Sequence, residues 1–248
     1  MEKAHINRSV KRASKALREH LRGSYSMGLN KQKGNMYPWV THTWNAIKGA
    51  CVHNCIYCYM KQWGDLAPVH LDNRELQTNL GKGNKIFVGS SCDMWANDIP
   101  EQWIQKVISH INTYPDNSYL LQTKNPERMK QFYPSIEVSP HQKILLGITL
   151  ETNREYDISE APPPYQRYQS FKEIDTYKMI SIEPIIDFDL DIFITWIKEI
   201  HPDFVSIGAD SKNHHLPEPN KEKIISLMDA LKTFTEIKQK HNLERLVI

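Results

Sequence analysis

Residues 86–124, which read IFVGSSCDMWANDIPEQWIQKVISHINTYPDNSYLLQTK, contain the unit that decides the fold. An apolar run, Ile86–Ser91, precedes Ile99–Tyr114, in which apolar residues recur at helical spacing. A second apolar run, Tyr119–Lys124, follows. A strand, a helix and a second strand in this order predict two parallel strands joined by a right-handed crossover.

The same alternation extends along most of the chain. Six runs rich in β-branched or aromatic residues predict strands, and these are Trp39–Asn45, Ile86–Ser91, Tyr119–Lys124, Ile144–Glu151, Met179–Ile185 and Phe204–Ala209. Helical patterns lie between most of them, namely Ile99–Tyr114, Asn125–Tyr133 and Asp189–His201, with Lys221–His241 after the last. Polar residues gather at the carboxyl ends of the strands, where α/β folds place their active sites. Because six strands are fewer than the eight of a closed barrel, we predict an α/β fold, a partial, open (β/α)6 TIM-like barrel with parallel strands. Leu246–Ile248 is a candidate for a short seventh strand.

The charge of the chain is unevenly distributed. The net charge is +2 over 248 residues, but residues 1–34 hold nine Lys/Arg and two Asp/Glu, which is +7. The remaining residues hold 22 basic and 27 acidic side chains, which is −5. We therefore predict a basic N-terminal arm, residues 1–34, and a barrel domain, residues 35–248. The arm is either a polyanion-binding element or a solvated segment.

The hydropathy pattern argues against a membrane protein. No apolar run approaches the roughly 20 residues that a membrane helix needs. The first 22 residues also lack the apolar stretch of a secretory signal peptide. The sequence therefore predicts a soluble, cytoplasmic protein with no membrane partner.

Three of the four cysteines are crowded into one short segment. Residues 49–60 read GACVHNCIYCYM and place Cys51, Cys55 and Cys58 at C-x3-C-x2-C spacing, just after the first predicted strand. In a chain without a signal peptide, such crowding favours metal binding over disulfides. Structural zinc sites normally have four protein ligands. A 4Fe–4S cluster held by three thiolates instead leaves one iron open to a substrate or cofactor.

This cysteine segment, set in an alternating β/α chain, resembles the radical S-adenosylmethionine (SAM) superfamily, and the resemblance runs from about Trp39 to Ala209. In that family the open iron chelates the amino and carboxylate groups of SAM. Reduction then cleaves SAM to a 5′-deoxyadenosyl radical, which abstracts a substrate hydrogen. The resemblance implies that Cys51, Cys55 and Cys58 bind a 4Fe–4S cluster and that Tyr57 lies against the adenine. It also implies an external electron donor such as flavodoxin or ferredoxin.

Further stretches resemble a group of phage- and bacteria-borne radical-SAM-like proteins of unassigned function. They are FVGSSCD at 87–93, LQTKNPER at 121–128, GITLE at 147–151 and SIEP at 181–184. The CIYCY stretch at 55–59 is also similar to spore photoproduct lyase, a radical SAM enzyme that acts on DNA. Where many family members carry a Gly-Gly-Glu-like element that holds the SAM amino group, this chain has Gly89-Ser90-Ser91. Serine hydroxyls can accept hydrogen bonds from an ammonium group.

The resemblance extends to polar residues at later strand ends. Glu151 and Asn153 follow the fourth predicted strand, where the family binds the ribose hydroxyls of SAM. Lys124 and Arg128 are candidates to pair with the SAM carboxylate or with a substrate phosphate, although Arg128 falls in a predicted helix and is otherwise a surface residue. Glu183 ends the fifth predicted strand, and a buried acid there is costly unless it is bonded, so we expect it to belong to the site.

The remaining candidates each have more than one interpretation. Cys92 is a fourth cluster ligand, a hydrogen-atom donor, or a small buried side chain. His53 is a metal ligand or points away from the metal, and the pair His214-His215 binds metal or phosphate, or lies in an exposed loop. Trp95 follows the second strand and is a candidate stacking surface for a substrate.

Together these features predict a radical SAM enzyme that acts on a nucleic acid or nucleotide, which the basic arm would help to bind. The alternative from another class is a zinc or closed-cluster module that binds nucleic acid without catalysis. A third interpretation is a protein that binds the cluster and SAM but performs no reaction.

Overall fold

A computed structural model of the chain describes residues 29–32 and 36–248. In chain order the strands within these ranges are β1 (Asn30–Lys31), β2 (His42–Trp44), β3 (Ile47–Lys48), β4 (His70–Leu71), β5 (Lys85–Val88), β6 (Ser118–Thr123), β7 (Ile144–Thr149), β8 (Lys178–Ile182), β9 (Phe204–Ile207) and β10 (Glu236–Gln239). The α-helices are α1 (Glu101–Asn112), α2 (Pro126–Phe132), α3 (Pro164–Lys172), α4 (Leu190–Ile200), α5 (Lys221–Leu231) and α6 (Glu244–Val247). Short 3-10 helices lie at Tyr59–Trp63, Glu75–Gln77, Tyr133–Ser135 and His241–Leu243. None of the helices in the described ranges is long and apolar enough to cross a membrane.

Eight of these strands form one sheet in the order β1-β2-β5-β6-β7-β8-β9-β10. Strand β1 is antiparallel to β2, and every other neighbouring pair is parallel. The sheet is open, since β1 and β10 lie at its two ends. The expected fold class, a partial, open TIM-like barrel of parallel strands, is confirmed.

The strand count differs from the expectation at the carboxyl end of the chain. The structure has a seventh parallel strand, Glu236–Gln239, but it lies inside the stretch that the sequence assigned to a helix. Helix α5 ends at Leu231, because Ile237 pairs with Val205 of β9 instead of continuing the helix. The candidate strand Leu246–Ile248 is wrong, since this segment belongs largely to α6.

Side-chain alternation along the strands divides the core into two layers. Ile86 and Val88 face the larger layer between sheet and helices, whereas Phe87 faces the concave side of the sheet. The inner layer consists of Tyr37, Val40, Phe87, Leu120, Leu145, Met179 and Phe204. Tyr37 and Val40 come from the segment before β2 and cover the inner strand residues, so this side of the sheet is filled there by apolar side chains.

The predicted basic arm lies outside the described residues, apart from 29–32. Asn30 and Lys31, which the sequence assigned to the arm, form β1 at the edge of the sheet, and the boundary between arm and barrel at residue 34 stays a prediction.

Candidate metal and cofactor site

The inner face of the sheet changes from apolar to polar one side-chain layer beyond the inner core. Gln122 and Ser181 are the inward residues that follow Leu120 and Met179 along their strands, and Thr149 follows Leu145 and Gly147 on β7. All three are polar. The Tyr37 hydroxyl lies 2.8 Å from both Gln122 Oε1 and Ser181 Oγ. Gln122 Nε2 donates to Thr149 Oγ1 at 2.9 Å. This polar layer is the floor of a cavity of about 630 Å³ on the carboxyl side of the strands.

The cysteine segment forms one wall of this cavity, which we call the cysteine wall (residues 49–60). Its first turn requires glycine, because Gly49 has φ +104° and a Cβ there would lie 2.5 Å from the Pro68 carbonyl oxygen. Two backbone hydrogen bonds tie the segment to the β7–α3 connection. Ile56 N donates to Ile158 O at 2.9 Å, and Glu160 N donates to His53 O at 2.8 Å.

All four cysteines line the cavity and are free thiols. Cys51 and Cys58 are half-buried, and Cys55 and Cys92 are buried. Cys92 lies within hydrogen-bonding distance of Cys51, which lowers the pKa of Cys51 because the thiol of Cys92 stabilises the thiolate. The same contact, together with burial, raises the pKa of Cys92. Burial raises the pKa of Cys55. Cys51 is therefore the thiol of this pair that ionises more readily and can act as a thiolate ligand.

The donor set fits an iron–sulfur cluster or another thiophilic metal by its chemistry and by its place on one cavity. The spacing of the side chains does not form a closed site: within residues 29–32 and 36–248, no group of three or more His, Cys, Asp or Glu side chains is arranged to hold a metal ion. The structure therefore brings Cys51, Cys55 and Cys58 to one cavity without drawing their thiols together.

Tyr57 is fixed by a buried charge network. Its hydroxyl donates to Glu151 Oε1, which also accepts from Lys124 Nζ at 2.7 Å, and Arg167 Nη1 donates to Glu151 Oε2 at 2.7 Å. Burial opposes ionisation of Glu151, but the cations of Lys124 and Arg167 outweigh it and hold its pKa well below the usual value. The pKa of Tyr57 is raised by burial and by the Glu151 charge, so the hydroxyl remains a donor. Glu151 thus positions Tyr57 and Lys124, which line the cavity.

The Gly89-Ser90-Ser91 turn after β5 also lines the cavity. Gly89 has φ +75° and lets the chain turn directly after the strand. Asn45 Oδ1 accepts from Ser90 Oγ at 3.2 Å and from Ser91 N at 3.0 Å, which fixes the turn against the end of β2. The three residues predicted to hold the SAM amino group are therefore held together beside the thiols.

His53 is held by a carboxylate. Its Nε2 lies 2.9 Å from Asp93 Oδ2, and Asp93 also accepts from Thr123 Oγ1 and from the backbone N–H groups of Lys124 and Trp95. Burial opposes ionisation of Asp93, but these hydrogen bonds, led by that of His53, lower its pKa. His53 thus joins the cysteine wall to the ends of β5 and β6.

Three of the expected site residues have other contacts. Asn153 does not line the cavity, since its Oδ1 accepts from Asp189 N at 2.8 Å and holds the start of α4. Arg128 donates to backbone carbonyls at the end of the β5–α1 connection, among them that of Ala96 at 2.7 Å. Trp95 is fully buried, so neither ring face is available for stacking.

The opposite side of the cavity, which we call the far wall, follows β8, β9 and β10. Glu183 lines it as expected and pairs with Lys240 Nζ at 2.5 Å. Sequence reasoning missed Lys240, because its strand lies in a stretch with helical spacing. Lys240 Nζ also lies 4.5 Å from the centre of the Tyr37 ring. The loop after β9 adds Asp210 and His214, and it adjoins the exposed His215.

The fold and the site define an open α/β barrel protein with a three-cysteine loop at the carboxyl ends of its strands. Residues 34–221 match the family model described as "Protein of unknown function (DUF5131)", which covers more than half of the chain. The chain belongs to this family. No curated protein matches the sequence.

Solved structures of spore photoproduct lyase share the fold. A double mutant with bound AdoMet and dinucleoside spore photoproduct is 11% identical over 86% of this chain and 80% of that chain, with a TM-score of 0.62. A single mutant with the dinucleoside spore photoproduct is 10% identical over the same shares, with a TM-score of 0.61. A further complex with this photoproduct is 8% identical over 84% and 78% of the chains, with a TM-score of 0.60. At such low identity the likeness establishes a common architecture.

Proposed function

We propose that the protein is a radical SAM enzyme that holds a site-differentiated 4Fe–4S cluster on Cys51, Cys55 and Cys58. The observation that carries the proposal is that these three cysteines, from one C-x3-C-x2-C loop, all line the carboxyl-end cavity of an open barrel. When bound and reduced, the cluster supplies the electron that cleaves SAM into methionine and a 5′-deoxyadenosyl radical. The shared fold with spore photoproduct lyase, one structure of which contains AdoMet, supports the same reading.

We assign the residues around the thiols to the adenine, the carboxylate and the amino group of SAM. The Tyr57 ring offers a flat face for the adenine, and Glu151 and Lys124 hold it in place. Lys124 carries the cation for the SAM carboxylate, while the Gly89-Ser90-Ser91 turn offers acceptors to the amino group. The apolar inner core layer beneath the polar floor of the cavity limits the access of water from that side.

The substrate that we propose is a nucleic acid or nucleotide. The sequence of residues 1–34 carries a charge of +7, which suits a polyanion. The structural neighbours bind a dinucleoside photoproduct, according to their descriptions. Flavodoxin or ferredoxin is the electron donor that we propose. Affinity for single-stranded and duplex DNA, measured across a salt series with the full chain and with a chain lacking residues 1–34, tests the arm. Equal affinities would remove the arm from the proposal.

The reaction is tested on protein reconstituted with iron and sulfide without oxygen. With dithionite and SAM, we expect 5′-deoxyadenosine and methionine, detected by mass spectrometry. Cys55→Ala is the inactive control, because it removes a proposed ligand. A fully loaded cluster that yields no 5′-deoxyadenosine, with or without cell extract, would contradict the proposal.

One observation favours a second candidate, a closed four-thiolate site in a nucleic-acid-binding module without catalysis. Cys92 lies against Cys51, so a fourth thiol is within reach of the cysteine wall. Metal analysis of protein purified without oxygen separates the candidates, since zinc gives a colourless protein whereas iron and sulfide give a brown one. In a closed cluster, SAM cleavage should be absent from the wild type and should appear in Cys92→Ala.

A further inference from the structure

The loop after β9 carries an aspartate–histidine pair that the proposed SAM site does not use. Asp210 Oδ1 lies 2.7 Å from His214 Nδ1. The Asp210 carboxylate also accepts from Lys212 N at 3.1 Å and from His214 N. The Asp210 side chain is 4% exposed and that of His214 is 25% exposed. The aspartate is thus buried beneath a histidine that water and ligands can reach.

The hydrogen bonds determine which ring nitrogen of His214 carries the proton. Burial opposes ionisation of Asp210, but the hydrogen bonds from the backbone and ring of His214 and from Lys212 N lower its pKa, so it is a carboxylate near neutral pH. A carboxylate can only accept, so Nδ1 of His214 must donate. In the neutral ring Nε2 is then the acceptor.

His214 and Asp210 line the same cavity as the thiols. Four strands, β5 to β8, separate β9 from β2 in the sheet. The pair therefore belongs to the far wall, and the cysteine wall lies across the opening. A ligand held between the two walls would meet the thiol side at one end and His214 at the other.

The loop does not need the imidazole to keep its shape. Arg245 Nη2 donates to the Asp210 carbonyl oxygen at 3.0 Å, and Arg245 Nη1 pairs with Glu218 Oε2 at 2.8 Å. Asn242 Nδ2 donates to Ala209 O at 2.6 Å. These contacts fix both flanks of the loop from the carboxyl-terminal segment. The ring of His214 is therefore an addition to an already anchored loop, and it faces the cavity.

We propose that His214 Nε2 is the hydrogen-bond acceptor for the substrate in this cavity, and that Asp210 is its positioning residue. The substrate group is a hydroxyl or ring N–H, the acidic hydrogens that a nucleoside offers, and this choice of substrate class rests on the proposed function. In this contact the substrate O–H or N–H donates a hydrogen bond to Nε2, and no covalent bond is made or broken. The carboxylate of Asp210 keeps the proton of His214 on Nδ1, so that Nε2 stays the acceptor.

Nitrogen-15 NMR of the full-length, histidine-labelled chain tests the arrangement. We expect His214 to be the Nδ1–H tautomer with an unprotonated Nε2. Asp210→Asn should move the proton toward Nε2, because an amide can donate to Nδ1. A wild-type His214 protonated on Nε2 near neutral pH would overturn the proposal.

The dinucleotide thymidylyl-thymidine is the probe for the substrate role. Its addition should shift the His214 Nε2 resonance, and both His214→Gln and Asp210→Asn should weaken its binding about tenfold. His215→Gln is the matched control, because this neighbour is exposed and does not line the cavity, so binding should be unchanged. An unshifted Nε2 resonance, or equal weakening by the His215 variant, would overturn the role. Neither SAM nor reductant is present, so failure here is separate from failure of SAM cleavage.

Discussion

The cysteine wall of the cavity is held by backbone hydrogen bonds and by the side chains of His53 and Tyr57, contacts that do not involve its thiols, whereas the far wall is held by side-chain ion pairs. On the cysteine wall, Ile56 and His53 are tied through their backbone atoms to the β7–α3 connection. On the far wall, Glu183 pairs with Lys240, and Arg245 pairs with Glu218. The anchoring of the cysteine wall leaves its thiols available as ligands. On the far wall, the charged side chains are paired with one another and hold the loops in place.

This difference suggests a division of work between the walls. A wall whose anchoring contacts do not involve its thiols can exchange thiol protons for metal with little change in fold. A wall built on paired charges presents fixed groups, which suits orientation of a substrate. Variants that separate metal binding from stability therefore test the comparison.

The largest effect should come from the cysteines. We expect Cys51→Ala, Cys55→Ala and Cys58→Ala each to reduce iron from about four per chain to background in reconstituted protein. The melting temperature of the metal-free chain should change little for Cys51 and Cys58, which are half-buried. Iron and sulfide assays with thermal denaturation provide the measurement. Cys92→Ala is the control, and loss of iron in it alone would shift the ligand assignment to Cys92.

The next effect should come from the network around Glu151, which joins Tyr57 of the cysteine wall to Arg167 of α3. Glu151→Gln leaves the buried Arg167 without its counter-charge, and we expect a loss of about 4 kcal/mol in the free energy of unfolding. Urea denaturation measures it. The matched control is Glu173→Gln, whose pair with Lys130 is exposed and should contribute less than about 1 kcal/mol. Equal losses in the two variants would show that the network is not a structural link.

The pH dependence of this difference has a definite sign. Because the pKa of Glu151 is depressed in the folded state, its stabilisation is fully present above the unfolded value of about 4.3. It is lost as the pH falls through the lower folded pKa. The gap in stability between wild type and Glu151→Gln should therefore be constant near neutral pH and shrink below about pH 4.

Much of the cysteine wall could be predicted from the sequence. The C-x3-C-x2-C spacing and its place after the first strand are local features, and so is the polar end of each strand. The carboxyl ends of parallel strands meet at one edge, which brings Lys124, Glu183 and the Ser90-Ser91 turn to one cavity. These assignments needed only strand order and direction.

The remaining features depend on packing that no local pattern encodes. Phe234 and Ile237 continue the helical spacing of α5 in the sequence, yet Ile237 lies in β10 and pairs with Val205 of β9. Lys240 was therefore not assigned to the site. Asn153 follows a strand end as Glu151 does, but its side-chain oxygen accepts a hydrogen bond from the backbone N–H of Asp189 instead of facing the cavity. Trp95 comes after a strand end, where exposed residues are common, yet its side chain is buried in the main core.

A smaller effect should come from the first turn of the cysteine wall. A Cβ at Gly49 would lie 2.5 Å from Pro68 O and 2.6 Å from Ala67 O, so Gly49→Ala should lose about 2–3 kcal/mol in the free energy of unfolding and take up less iron. Gly64→Ala is the control shortly after the cysteine wall, since φ is also positive but the added Cβ meets nothing within 4 Å. It should lose about 1–2 kcal/mol from backbone strain alone, because its φ of 81° and ψ of −153° favour glycine. A loss in Gly64→Ala as large as that in Gly49→Ala would show that contact with residues 67–68 does not fix the wall.

The smallest effect should come from the anchor of the far wall. Arg245→Gln removes the pair with Glu218 and the hydrogen bond to Asp210 O, and we expect a loss of about 1 kcal/mol, since Arg245 is 45% exposed. The change should be local: amide exchange at His214, whose N–H donates to Asp210, should accelerate while exchange in β7 is unchanged. Hydrogen-exchange mass spectrometry measures both.

The control for this variant is Lys232→Gln, whose pair with Asp229 is exposed on both sides and lies on the far end of α5 from the loop. It should leave the exchange of His214 unchanged. If Arg245→Gln also left that exchange unchanged, the ion pair would not anchor the loop, and the hydrogen bond between Asp210 and His214 would itself be the anchor. His214 would then be bound into the structure of the far wall, and the contrast between a cysteine wall anchored without its thiols and a far wall anchored by ion pairs would fail at this loop.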